Sequence, residues 1–312
     1  MIQCYQSMNP LQESILKVIA YFDIFYYPVT AQEILYFMNK PCSEQKLDHA
    51  LDELLKNEII FKTKDYYSLH NDQTFAIKRI KANETATKQL KIAKKIAVLL
   101  VRIPYIKGVA ISGSLSKNVA YKGSDIDFFI ITKENRLWLS KLFFTSLVKC
   151  ANLFGLSKWF CLNYIIDEKN LEVPEKNIFT ATEIITLLPL YGSSLFNNFF
   201  TANEWVYDFF PNHPAKTHFA KDPSFILPKK IIEWFMNNGH GDKADTVLMR
   251  YFDNRWKKLA AKNKFIKGGF QLGTMMADKH FCRPYPEHFQ QKILDRYEDR
   301  IRALKTTLRI AI

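Results

Sequence analysis

The residues best suited to chemistry lie between Val109 and Thr132, in the run VAISGSLSKNVAYKGSDIDFFIIT. Gly113-Ser114 closes one apolar run, and after ten intervening residues Asp125-Ile126-Asp127 opens another. Side chains alternate faces along an extended strand, so Asp125 and Asp127 point the same way while Ile126 turns into the core. Neighbouring carboxylates repel unless a positive charge sits between them, and a divalent cation is the usual one. A Gly-Ser turn entering a helix offers backbone N–H groups that suit a phosphate. Either feature alone is commonplace, a solvated acid pair or a plain turn. Their spacing between two apolar runs points instead to chemistry on a nucleotide. Phe128-Phe129-Ile130-Ile131 is apolar on both faces, as an interior strand of a covered sheet should be.

The pattern of apolar-Gly-Ser, ten residues, then Asp-apolar-Asp-apolar resembles the nucleotidyltransferase superfamily that includes DNA polymerase beta and its minimal bacterial relatives. Small members often read Gly-Ser-x-x-Arg-Gly before Ser-Asp-x-Asp. Here Gly113-Ser114-Leu115-Ser116-Lys117-Asn118 precedes Ser124-Asp125-Ile126-Asp127. Lys117 thus keeps the charge of the usual Arg without its bidentate fork. Asn118 replaces a Gly and tolerates a left-handed backbone. The resemblance implies a triphosphate held by Gly113, Ser114 and Lys117, with Ser124 nearby. It also implies magnesium ions held by Asp125 and Asp127, the catalytic carboxylates, with ATP or another nucleoside triphosphate as donor. A third carboxylate from a later strand completes the family's site. In this chain the strand expected there, Phe160 to Asp167, carries Asn163 at its inward polar position, an uncharged further metal ligand. Asp167 sits at that strand's end, and Glu183 reads as the partner of Thr180 in a capping box. Two carboxylates plus Asn163, a later acid, and loss of activity all remain open.

The elements that position these residues suggest an α+β chain in three parts. Residues 1–72 read as three helices and a small hairpin, similar to a winged helix. Thr30 caps a helix with Glu33 three residues on, Ser43 starts another, and Lys64-Asp65 turns between two short strands. Residues 73–170 read as a nucleotidyltransferase core with a mixed sheet, led by a basic helical segment over 73–103. Leu137 to Leu156 is expected to pack behind that sheet. Residues 171–312 read as an all-helical domain forming the far wall of the cleft. Within it, 267–273 and 279–283 are possible phosphate donors but more often plain turns.

Charge separates these parts. The chain carries +13 overall, yet residues 1–72 hold six Lys and no Arg against ten Asp plus Glu. A winged helix of net −4, whose third helix carries Glu44, Asp48, Asp52 and Glu53, would repel a duplex. A structural or protein-contacting role fits it better than DNA binding does. The Lys and Arg residues of 73–105 either line a channel for a polyanion or solvate an exposed helix face. Five scattered cysteines without metal-ligand spacing suit a reducing compartment, and no apolar run is uninterrupted enough to span a membrane. A cytoplasmic location is therefore expected.

The function expected is metal-dependent transfer of a nucleoside monophosphate to an acceptor hydroxyl on a small molecule, RNA or protein. The alternative is a non-catalytic nucleotide-binding or winged-helix regulatory protein.

Overall fold

The structure, a computed structural model, describes residues 8–156, 159–216, 227–261, 265–266, 270–271, 275–284 and 286–308. Its first part is built from strong local signals. Helix α1 (Pro10–Asp23) has Pro at its first turn and a capping box between Asn9 and Gln12. Strand β1 (Val29–Thr30) leads into α2 (Ala31–Phe37), where Thr30 and Glu33 form the expected capping box. Helix α3 (Glu44–Lys56) starts at the cap Ser43. Strands β2 (Phe61–Thr63) and β3 (Tyr66–Ser68) flank the Lys64-Asp65 turn, with Lys64 left-handed at φ 55°. The three strands form an antiparallel sheet in the order β1-β3-β2. Leu16, Ile19, Ile34, Leu47 and Leu54 fill the core beneath it.

The basic segment is one helix, α4 (Gln73–Leu100). Ala82, Ala86, Ala93 and Ala97 line its buried side, while Lys78, Lys81, Lys88, Lys91, Lys94 and Lys95 are exposed. Arg79 is the exception. It is buried on α4, its guanidinium 3.5 Å from the Tyr27 ring centroid and 2.9 Å from Glu33 Oε1. The side chain that starts as part of a charge run therefore pins α4 to the first part of the chain.

The central elements follow as β4 (Ile106–Ile111), the single turn α5 (Gly113–Ser116), β5 (Asp127–Thr132), α6 (Leu137–Leu153) and β6 (Cys161–Asp167). Then come α7 (Ile178–Ile185), β7 (Leu188–Tyr191), α8 (Ser193–Ala202) and α9 (Val206–Phe209). The last part comprises α10 (Leu227–Met236), α11 (Gly239–Ala260), β8 (Phe265–Ile266), β9 (Phe270–Gln271), β10 (Met275–Ala277), β11 (Phe281–Pro284) and α12 (Pro286–Leu308). No helix among the described residues is long and apolar enough to cross a membrane.

The main sheet is mixed, as expected, with strand order β10-β11-β6-β5-β4-β7. Strands β5 and β6 are parallel and the other pairs antiparallel. Alternation along β5 splits its apolar run between two cores. Phe128 and Ile130 pack with α4 and with Trp138 and Phe144 of α6, so α6 does lie behind the sheet. Phe129 and Ile131 pack with Phe196, Phe199 and Ile184 on the other face. Asp127 shares the parity of Phe129 and Ile131, which places its carboxylate at the mouth of the second face.

The region after residue 171 is mainly helical, but it is not all-helical. It supplies β7, β10 and β11 to the main sheet, and Pro189 in β7 is tolerated because β7 is an edge strand. Helix α12 then returns to the first part of the chain. Ile293 enters its core, the Tyr297 ring lies 5.6 Å from that of Tyr21, and Arg300 reaches Asp23 at 2.9 Å.

Candidate functional site

The site is built where β4 ends and β5 begins. Ser112 N donates to Asp127 O at 2.9 Å, which seats the turn after β4 against the first residue of β5. Gly113 follows at φ +64°, a left-handed conformation that glycine adopts without steric cost. Its Cα faces the Asp127 carboxylate so closely that a Cβ would collide with it. The bend and the acid therefore touch. Asn118 is also left-handed, at φ 58°, so Asn does the conformational work of the Gly it replaces.

Asp127 is mostly buried, and its carboxyl is pushed up to about 6, chiefly by burial. The Cys161 thiol opposes this by donating to it, while Glu183 and Asp125 reinforce it as like charges. Cys161 lies beside Asp127 in the parallel register, and burial pushes its own thiol up, so it stays protonated as a donor. Asp125 is exposed, one residue before a fully buried Ile126; it precedes β5 rather than belonging to it, and is close enough for its charge to act on Asp127. Ser114 is exposed, and the Ser112 hydroxyl is buried without a hydrogen-bond partner. Ser124 closes a turn: its hydroxyl donates to Tyr121 O and accepts from Tyr121 N, both at 2.8 Å.

Lys117 points across the site. Its Nζ donates to Gly113 O at 3.0 Å and pairs with Glu183 Oε1 at 2.7 Å. Glu183 is not part of a capping box. Helix α7 begins earlier, with Asn177 accepting from Thr180 N at 3.0 Å, and this frees Glu183 to face Lys117. Asp167 lies at the other end of the strands, paired with Thr132, and is fully buried among donors from Asn135 N, Lys169 N and His280. Five residues along β5 separate Thr132 from Asp127, roughly 17 Å at strand rise, which removes Asp167 from the site. Strand β6 shifts register between Leu162 and Tyr164, at Asn163, whose side chain lies outside the described residues. The shift brings Tyr164 onto the face of Asp127, with its ring 5.3 Å from that of Phe129.

Ser112, Gly113, Ser114, Lys117, Asp127 and Glu183 sit at the wall of a cavity of about 550 Å³, whose lining does not include Asp125. The sheet forms its floor through Asp127, Phe129 and Tyr164, and α7 forms a side through Phe179 and Glu183. Tyr21, Phe22, Phe25 and Tyr27 come from the first part of the chain, and Phe289 and Gln290 from α12. The sequence did not foretell this wall, because it assembles residues more than 250 positions apart. Arg283 of β11, within one of the segments flagged as a phosphate donor, does reach the cavity. There it is engaged by both oxygens of Glu175 and donates to Tyr164 OH at 3.1 Å; burial pushes that phenol up to about 12, and the Arg283 charge and hydrogen bond oppose the rise. The other flagged segment, 267–273, lies outside the described residues apart from 270 and 271.

Residues 90–185 match the family described as "Nucleotidyltransferase domain". The chain carries a nucleotidyltransferase domain. The matched span holds the Gly113-Ser114 bend, Asp125, Asp127 and Glu183, and nucleotidyl transfer is its general chemistry. No curated protein and no solved structure matches the chain. The nucleotidyltransferase domain thus accounts for α4 to α7 of the architecture, and the cavity extends beyond it into the flanking parts.

Proposed function

We propose that the protein is a metal-dependent nucleotidyltransferase that moves a nucleoside monophosphate from ATP or another nucleoside triphosphate to an acceptor hydroxyl. The observation that carries this reading is the contact between Gly113 and the Asp127 carboxylate. A phosphate resting on the Gly113-Ser114 bend lies beside that acid. In this reading the backbone of Gly113 and the hydroxyls of Ser112 and Ser114 receive phosphate oxygens. Lys117, while paired with Glu183, adds positive charge beside the bend, and Ser124 holds the loop that presents Asp125.

Asp125 and Asp127 would hold the metal. Asp127 has a thiol donor and no ion pair, and its raised proton affinity is that of a carboxylate short of a cation. Such an oxygen donor set fits a hard divalent cation. Among the described residues no cluster of three or more His, Cys, Asp or Glu side chains is arranged for a metal. Magnesium does not need one, since it commonly takes one or two protein carboxylates and completes its shell with phosphate oxygens and water. When bound, it stabilises charge on the attacking and leaving oxygens of an in-line displacement. Asp127, ionised at neutral pH yet with a proton affinity close to it, is suited to take the acceptor's proton.

The flanking parts have supporting roles in the same reading. Residues 1–72 form a winged-helix-like module that contacts partners rather than DNA, residues 73–170 the catalytic domain, and residues 171–312 the remaining cleft wall. Cys42, Cys150, Cys161 and Cys282 are free thiols, which supports a reducing, cytoplasmic setting.

The test is incubation with α-labelled nucleoside triphosphates, Mg²⁺ and cell extract, followed by separation of RNA, protein and small molecules. Label from the α position should enter one fraction and be absent with Asp127→Asn. Label transfer that is equal in the wild type and the variant would overturn the reading.

A further inference from the structure

The cavity beside Asp127 is larger and more apolar than the handling of a triphosphate requires. From it we infer that the acceptor is a small uncharged molecule with an aromatic or other apolar body and a hydroxyl group, bound in the cavity beneath α1 and α12. The inference rests on the nucleotidyltransferase reading of the same site and names its second substrate.

Three observations converge on this class. The first is charge. The lining residues include two cations, Lys117 and Arg283, and each is held inside the cavity by its own carboxylate, Glu183 or Glu175. With those pairs intact the remaining Asp127 carboxylate makes the lining net negative, which offers nothing to an anionic ligand, and burying a charge unpaired there would be costly. The second is the wall. Tyr21, Phe22, Phe129 and Phe179 bring aromatic rings to the lining, and Phe25 and Phe289, also part of it, keep 38% and 37% of their surface exposed. Rings with that much exposed area lining a part-open cavity gain by covering a flat apolar ligand. A volume of about 550 Å³ falls in the range that encloses one small organic molecule.

The third is direction. Ser112, Gly113 and Lys117 line one side of the cavity, and Ser114 and Asp125 are exposed there, so a triphosphate held by them lies along that side at its outer lip. In-line displacement brings the nucleophile in opposite the leaving group. With pyrophosphate leaving along the outer lip, the attacking hydroxyl enters from the cavity. Its oxygen forms a bond to the α-phosphorus, the bond from that phosphorus to the bridging oxygen breaks, and pyrophosphate departs with the electron pair. The hydroxyl proton passes to the Asp127 carboxylate. Nothing else is consumed.

The probe is 2-naphthalenemethanol, a neutral fluorescent aromatic alcohol, titrated into the full-length protein with and without saturating ATP and Mg²⁺. The inference predicts saturable binding that ATP does not displace, at least tenfold weaker binding of the charged analogue 2-naphthoate, and formation of the adenylylated alcohol detected by mass. Phe25→Glu and Phe289→Glu, one just after α1 and the other on α12 and both half-exposed, should each weaken alcohol binding at least tenfold. Folding of the variants is checked by circular dichroism, and two independent positions guard against one of them misfolding. Displacement of the alcohol by ATP or by adenosine would make the cavity a base site and overturn the inference, as would absence of binding. Failure of the underlying reading looks different: the alcohol still binds, but ATP and Mg²⁺ neither bind nor modify it.

Discussion

Asp127 is where the competing demands on this site are sharpest. Its proton affinity is raised from 3.8 to about 6, mainly by burial, so between those values the folded protein holds a proton that the unfolded chain has released. Stability in metal-free buffer should therefore fall as pH rises through that window, leaving a cost on the order of 1–3 kcal/mol at neutral pH. Asp127→Asn removes the buried charge. It should raise the metal-free melting temperature by a few degrees, at roughly 2–4 °C per kcal/mol, while abolishing transfer. Differential scanning calorimetry at pH 4 and pH 7.5 tests the sign, since the variant's advantage should vanish at the lower pH. Divalent cations compete with that same proton. Mn²⁺ affinity measured by calorimetry should drop about tenfold per pH unit below about 6 and level off above it. A flat profile from pH 5 to pH 7.5 would mean that Asp127 is not a ligand.

Among the elements, the turn at Gly113 is the least replaceable. Gly113→Ala adds a left-handed strain of about 1–3 kcal/mol and drives a methyl group into the Asp127 carboxylate. It should lower the urea midpoint and remove activity together, whereas Ser114→Ala, at an exposed position, should leave the midpoint within error. Elements like this were legible because their signals are local. The Thr30 and Ser43 caps, the Lys64 turn and the Gly-Ser to Asp-x-Asp spacing each need only a few neighbouring residues. What escaped the sequence depended on distant pairing or on one turn of helix. Strand β7 hides behind Pro189, which only an edge position allows. Strands β10 and β11 are too short to show a period and exist because β6 accepts β11. Glu183 followed Thr180 at capping-box spacing, but Asn177 takes the cap and turns Glu183 toward Lys117. Arg79 sat in a run of solvated Lys residues, and nothing local set it apart from them.

At the scale of the whole molecule, the first and last segments of the described chain close over the middle. Asp23 of α1 is buried and receives both His70 at 2.7 Å and Arg300 of α12 at 2.9 Å, and Arg79 ties α4 to Glu33. Arg79→Ala would leave Glu33 without its partner and remove the stack on Tyr27. A loss of about 3–5 kcal/mol in chemical denaturation is expected. The same geometry explains why α1 serves the cleft: its aromatic residues are already committed to the cavity wall. Helix α3 keeps Glu44, Asp48 and Asp52 exposed, so mixed-sequence duplex DNA at physiological salt should give no gel shift at micromolar protein.

Nucleotidyl transfer at this site requires the two aspartates and the glycine-serine bend jointly to bind a metal-nucleotide complex. The direct measurement is the binding of Mn²⁺ with a non-hydrolysable nucleoside triphosphate, followed by electron paramagnetic resonance, in the wild type and in Asp125→Asn and Asp127→Asn. Nucleotide-dependent binding of Mn²⁺ to the wild type, weakened at least tenfold in each variant, is the result expected. Equal binding by all three proteins, or binding by none, would contradict it.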